Sequence, residues 1–188
     1  MRNFNLLLNS IRLVPHILAF KYHKNNPIIR YDTERWMQVL KINSNIQMGF
    51  IELMSTLPEY RNLFYKRMGG HFYLINWLCP KMDSLSIYTD KMGPGLVIRH
   101  GTSTLIGAKS IGKNCTIYQQ VSIAYIDDKS PIIGDNVIIY CGAILIGDIK
   151  IGNNSVIGAG AVVIKDVPEN SVVVGVPGHV IHENRDAI

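Results

Sequence analysis

His100 stands in the stretch VIRHGTS and is the only histidine between residues 72 and 178. Imidazole is the side chain that takes a proton from an alcohol near neutral pH. Held neutral and within hydrogen-bond reach of a hydroxyl, it contributes roughly 10²- to 10⁴-fold in rate. A lone histidine is usually structural, so its role depends on whether the surrounding chain turns it outward. Three cysteines, Cys79, Cys115 and Cys141, show no paired spacing. That excludes a disulfide framework and a CxxC metal site and points to free thiols in a reducing cytoplasm. A zinc hydratase would need three histidines converging from neighbouring segments, which a single histidine does not supply, so no metal is expected.

The element that must position His100 is written in a period of six. Ile133, Ile139, Leu145, Ile151, Ile157 and Val163 fall six residues apart, and Ile111, Ile117 and Ile123 keep the same rhythm. Neither a helix of 3.6 residues per turn nor an alternating strand produces that spacing. Three short strands per turn of a triangular coil do, with one aliphatic side chain per hexapeptide pointing at the axis. Glycine, asparagine or another small residue takes the corners, as in IGDNVI, IGNNSV and IGAGAV, and Ser155 and Ala161 fill small inward positions. Cys115 fits such a position too, which makes it packing and not a nucleophile; Cys141, in a corner, stays open. Each coil takes about eighteen residues and advances roughly 4.8 Å, so residues 92–174 supply four to five coils. The rhythm is expected to break once, between Ile123 and Ile133, where ten residues replace six. The stretch AYIDDKSP is therefore an extruded loop, and insertions on one face of a repeat scaffold mark its working face.

Before this region the apolar spacing is helical, as over 33–42, with Trp36, Val39 and Leu40 on one side, and over 59–68. Asp32 and Thr33 are the expected N-caps, with Pro58 and the Gly69-Gly70 pair as punctuation. The fold class is α+β: a small helical domain at 1–84, then a parallel β-helix at 85–188 with a loop at 124–131 and a C-terminal tail.

The net charge of +5 is carried by residues 1–91, which hold 12 Lys/Arg against 6 Asp/Glu, whereas 92–188 hold 7 against 8. No aromatic-interleaved basic motif accompanies the excess, so nucleic acid is not expected. The first 24 residues are apolar, cationic and free of acids, but Arg12 and Pro15 interrupt them. They fall short of the ~20 apolar residues of a spanning helix. A peripheral contact with the inner membrane through 1–24 and packing of that helix on protein both stay open for an otherwise cytoplasmic chain.

With VIRHGTS, the corner-rich IYCGAILIGDIKIGNNSVIGAGAVVIKDVPENSVVVGVPG and the single loop, residues 85–182 resemble the hexapeptide-repeat acetyltransferases. The likeness is to the serine acetyltransferase branch, near the O-acetyltransferases of capsule and exopolysaccharide synthesis. It implies a left-handed β-helix, acetyl-CoA as co-substrate and a homotrimer that binds the donor between neighbouring columns, with pairing of trimers left open. It assigns His100 as general base. Gly142, Ala143, Ala159, Gly160 and Ala161 would line the pantetheine arm, where small residues leave backbone amides accessible. Lys165 and Pro177, the latter in the turn Gly175-Val176-Pro177-Gly178, would meet the nucleotide end. Backbone amides near Gly142 would steady the oxyanion.

The acceptor side departs from the branch. Its Asp-x-His-Pro signature reads Leu85-Ser86-Ile87-Tyr88 here, which leaves Asp83 and Asp90 as candidates to orient His100. The acid before the histidine is Arg99, and the Arg-His pair of the loop is Lys129-Ser130. Groups that hold an amino acid's ammonium and carboxylate are thereby lost. The expected acceptor is a sugar hydroxyl of a capsular or exopolysaccharide, with Arg99 and Lys129 facing an acidic sugar. Serine is the alternative, and a non-catalytic assembly module is the alternative of another class.

Overall fold

The computed structural model describes residues 12–23, 26–70 and 74–183. The chain divides into two compact units, Met1–Asp83 and Ser84–Ile188.

The first unit is helical: α1 Val14–Tyr22, α2 Asn26–Leu40, α3 Ile46–Thr56, α4 Pro58–Met68 and a 3₁₀ turn at Asn76–Leu78. Asn45 caps α3, its Oδ1 accepting from the Met48 amide at 2.9 Å. Pro58 opens α4, and Gly69 ends it at φ 78°. Arg61 of α4 donates to the carbonyls of Met54 and Ser55 in the last turn of α3, and so satisfies groups the helix leaves unbonded. The core is aromatic, with Phe20 stacked on Phe50 at 4.2 Å and Trp36 edge-on to Tyr60 at 5.4 Å.

Asp32 and Thr33 are not caps. The helix begins at Asn26, one residue before Pro27, so both lie in its middle. Both are buried and bonded: Asp32 accepts from Arg67 Nε at 2.9 Å, and Thr33 donates to the Ile29 carbonyl at 2.6 Å and meets Tyr60 Oη at 2.7 Å. Of the apolar segment 71–80, residues 71–73 lie outside the described residues, and Leu74 and Trp77 are exposed. Residues 1–11 and 24, part of the expected membrane-contacting stretch, also lie outside them. Among the described residues no helix is long and apolar enough to cross a membrane.

His16 of α1 is fully buried. Tyr65 Oη donates to the Cys79 carbonyl at 2.8 Å, so His16 Nε2, 2.8 Å from Oη, is the donor to it. His16 Nδ1 is then an acceptor without a partner among the described residues. Burial, with the charges of Arg61 and Arg12, holds this imidazole down at about 4.

The second unit is a left-handed β-helix of five coils with three faces. Face A carries β1 Leu85–Ile87, β3 Thr104–Ile106, β6 Ser122–Ala124, β9 Ile144–Ile146 and β12 Val162–Val163. Face B carries β4 Ser110–Ile111, β7 Ile132–Ile133 and β10 Lys150–Ile151, flanked by bridges at Met92 and Val167. Face C carries β2 Val97–Arg99, β5 Thr116–Tyr118, β8 Ile138–Ile139, β11 Val156–Ile157 and β13 Ser171–Val174. These strands pair in parallel. β14 His179–Glu183 returns antiparallel on β13, and the turn 175–178 folds over β12 through Val162 N to Gly175 O and Gly178 N to Val162 O.

Three inward ladders fill the column: Ile106, Ile123, Leu145, Val163 on face A; Ile111, Ile133, Ile151, Val167 on face B; Ile98, Ile117, Ile139, Ile157, Val173 on face C. Each of these side chains is buried. The register equates Ile111, Ile133 and Ile151, then Ile117, Ile139 and Ile157. The rhythm breaks at more places than the single one expected between Ile123 and Ile133. From Ile98 to Ile106 the chain takes eight residues, from Ile106 to Ile111 five, and from Val163 to Val167 four. The eight-residue step contains His100.

Candidate active site

His100 follows β2 at the corner where face C turns into face A, and its side chain is exposed. The two extra residues of this step bulge the corner outward, with His100 at φ 59° and Ser103 at φ 52°. The Thr102 amide folds back on the His100 carbonyl.

The corners above it lie in file. Gln120 N donates to Thr102 O at 2.9 Å, Gly142 N to Gln119 O at 3.1 Å and Gly160 N to Cys141 O at 2.9 Å. At one strand spacing per coil, Gly142 stands about 10 Å and Gly160 about 14 Å from the His100 corner. Gly142 and Gly160 have φ 71° and 68°, and a Cβ on either would meet nothing closer than 3.8 Å. The edge is therefore smooth and opens outward, the shape a long thin thioester donor needs. The turn holding exposed Pro177 ends the file.

The donors on this edge differ from expectation. The Gly142 and Ala143 amides are engaged, the latter with Tyr140 O at 3.3 Å, and Ala161 N is held by Gly158 O at 3.2 Å. Ala143 and Ala161 are fully buried. At the Gly142 and Gly160 corners, 140–143 and 158–161, the amides without an acceptor among the described residues are those of Cys141 and Ala159, one at each corner, and these are able to bond a ligand's carbonyls. Gln119 Oε1, on the same edge, is a buried acceptor with no donor among the described residues.

Other candidates fall elsewhere. Lys165 is exposed at the corner between faces A and B, across face A from His100. Asp90 is exposed at the same kind of corner one coil earlier than β3 and does not bond to His100, and Asp83 ends the helical unit. Position 85 is geometrically apt, because β1 pairs with β3, the strand that leaves the His100 corner. It holds a buried leucine in place of a carboxylate. Lys129 sits in the loop, where Ile126 and Lys129 exchange backbone bonds around Asp127-Asp128, and its Nζ lies 3.6 Å from Asp148 Oδ2. Within one chain Arg99 and Lys129 are separated by face A and do not converge. Cys115 is buried with its Sγ 3.1 Å from Gly134 O, and burial pushes its thiol up to about 11, which suits packing and not attack.

Tyr118 and Tyr140 carry no signal of a site in the sequence. Arg99 pairs with Tyr118, and the same register one coil on sets Tyr118 beside Tyr140, their rings stacked at 5.0 Å. The three form one outward row on face C, beside the His100 edge. Their spacings of 19 and 22 residues carry the extra residues of two irregular coils, which hides them from a search at eighteen.

Residues 130–165 match the sequence model of the bacterial transferase hexapeptide family (six repeats). Serine acetyltransferase of Staphylococcus aureus is 44% identical over 99 residues, covering 50% of this chain and 46% of that protein. The Staphylococcus epidermidis enzyme is 43% identical over 98 residues, with the same coverage. The chain thus spans about half the length of the curated relatives it matches. Among solved structures, Neisseria gonorrhoeae serine acetyltransferase in complex with serine superposes with a TM-score of 0.67 at 25% identity, covering 86% of this chain and 70% of that one. A serine acetyltransferase complex with CoA gives 0.69 at 21% identity over 87% and 72%, which speaks for the fold. The second unit is a hexapeptide-repeat β-helix. In sequence and fold it is similar to the serine acetyltransferases.

Proposed function

We propose that the protein is an acetyl-CoA-dependent O-acetyltransferase with His100 as general base. The observation that carries this reading is one edge of the column bearing, in line, an outward imidazole, two unbonded corner amides and two open glycines. His100 removes the acceptor's hydroxyl proton, and the oxygen attacks the thioester carbonyl. The amide of Cys141 is the nearer donor for the resulting oxyanion. Collapse breaks the C–S bond, and the imidazolium returns the proton to the leaving thiolate. Nothing in this sequence of steps needs an acyl-enzyme. Because one edge makes only half a groove, we further propose that neighbouring copies in a homotrimer complete it.

The names of the relatives favour serine as acceptor over the capsular sugar expected from the sequence, and serine is the first acceptor to test. A sugar hydroxyl is kept as the second reading on a specific observation: Leu85, Arg99 and Lys129-Ser130 stand where the branch keeps groups for an amino acid. The experiment follows CoA thiol release with serine, hexoses and uronates, in the wild type and in His100→Ala. Loss of turnover in His100→Ala supports the assignment. Turnover that survives in His100→Ala and vanishes in Cys141→Ser would instead make Cys141 the reacting group.

A further inference from the structure

Tyr118 and Tyr140 have no role above, and Arg99 has only the contact with an acidic sugar expected from the sequence. Parallel strands one spacing apart force like side chains in register to pile up, so the two phenol rings form a rigid stack tilted by only 22°. Tyr140 backs Tyr118 on one side. On the other side the next residue in the row is Arg99, which is half-exposed and neither caps the ring nor forms an ion pair among the described residues. The Tyr118 face that looks toward Arg99 therefore lies at the level of the His100 corner, with an uncommitted guanidinium beside it.

We propose that this arrangement is the acceptor subsite and that it takes a pyranose ring. The ring's C–H face lies on Tyr118, Tyr140 keeps that phenol from yielding, and Arg99 donates to a carboxylate or hydroxyl substituent, which leaves a ring hydroxyl toward His100. The proposal rests on the acetyltransferase reading of the His100 edge and takes its second acceptor, a sugar hydroxyl, in place of serine. A small amino acid has no apolar face to cover an aromatic ring, whereas a pyranose has one on each side, so the row discriminates by shape as well as by charge. Arg99 suits a uronate better than a neutral hexose, since its planar fork matches a carboxylate.

Saturation-transfer NMR on the full chain tests it with methyl glucoside, methyl glucuronoside and serine, beside KM values for acceptor and for acetyl-CoA. In the wild type both glycosides receive saturation, the glucuronoside binds more tightly, and serine gives none. Tyr118→Ala weakens glycoside binding about tenfold and raises the acceptor KM, with the acetyl-CoA KM unmoved. Tyr118→Phe keeps the ring and restores binding, which separates recognition from folding. Arg99→Gln removes the advantage of the glucuronoside. The subsite is overturned if neither glycoside binds the wild type, if Tyr118→Ala binds them as well as the wild type does, or if it is the acetyl-CoA KM that rises. If glycosides bind as described while thiol release does not depend on His100, the subsite stands and the acetyltransferase reading is the part that fails.

Discussion

Two edges of the same column are built from the same six-residue rhythm and end up with opposite properties. Where face B turns into face C, Asn114, Asn136, Asn154 and Asn170 occupy the left-handed region at φ 56–58°. Their amides close on one another, with Asn136 Nδ2 to Asn154 Oδ1 and Asn154 Nδ2 to Asn170 Oδ1 both 2.9 Å. Beside them the coils press together: a Cβ on Gly152 would stand 2.4 Å from Glu169 N. On the His100 edge the same left-handed positions go to His100, Gln120, Gly142 and Gly160. There, corner amides are left unbonded and the glycines face open space. Asparagine tolerates the left-handed conformation and brings its own hydrogen bonds. Glycine tolerates it and brings none, so the donors stay available to something outside the chain. The choice between the two residues decides which edge is structural and which can bind.

That contrast can be broken by substitution. The largest expected effect is on turnover: His100→Ala lowers CoA release by about 10²- to 10⁴-fold, while Asn154→Ala leaves the specific activity of the folded protein near that of the wild type. An Asn154→Ala enzyme as inactive as His100→Ala would erase the distinction. Next is Gly152→Ala, where overpacking against the backbone of the adjacent coil costs about 3 kcal/mol, read as a lower denaturation midpoint. Asn154→Ala follows at about 1–2 kcal/mol, because it strips two hydrogen bonds from a half-buried ladder. Gly160→Ala costs only about 1 kcal/mol for its positive φ, yet it raises the KM for acetyl-CoA. If Gly160→Ala proved the more destabilising of the two glycine variants, the open edge would not be open.

Acid sharpens the comparison from outside both edges. His16 has its pKa lowered from 6.5 to about 4 in the folded chain, so between those values the unfolded state binds a proton that the folded state refuses. Stability therefore falls as the pH drops from 6.5 toward 4, and levels off below. Both tryptophans, Trp36 and Trp77, lie in the helical unit, so their fluorescence reports that loss separately from the column. His16→Gln should flatten the slope. A slope that persists in His16→Gln would place the titrating group elsewhere.

The column was legible because an inward aliphatic side chain at every sixth position has one geometric explanation, and the small corners named from sequence do share an edge with His100. What escaped has physical causes. The bulge at His100 lies in the step from Ile98 to Ile106, before the regular rhythm begins at Ile111, so the extra residues had nothing to be measured against. The Arg99–Tyr118–Tyr140 row depends on register across two irregular coils. The donors at Cys141 and Ala159 are set by which amide each turn consumes internally, a property of backbone direction that residue identity does not carry. Asp32 and Thr33 look like caps because their side chains are cap formers. Only packing shows that Arg67 and Tyr60 engage them inside a longer helix.

The reversed strand at the end of the column, β14 lying antiparallel on β13, bears on solubility. A stack of parallel coils presents the same hydrogen-bonding rim at its top that every internal coil presents to its neighbour, and two such rims could fuse end to end into fibres. A last strand of opposite polarity, with the adjoining turn lying across β12, offers an incoming coil no matching register. Deleting β14, residues 179–183, is therefore expected to turn a discrete particle into one that grows lengthwise, a change that light scattering would detect.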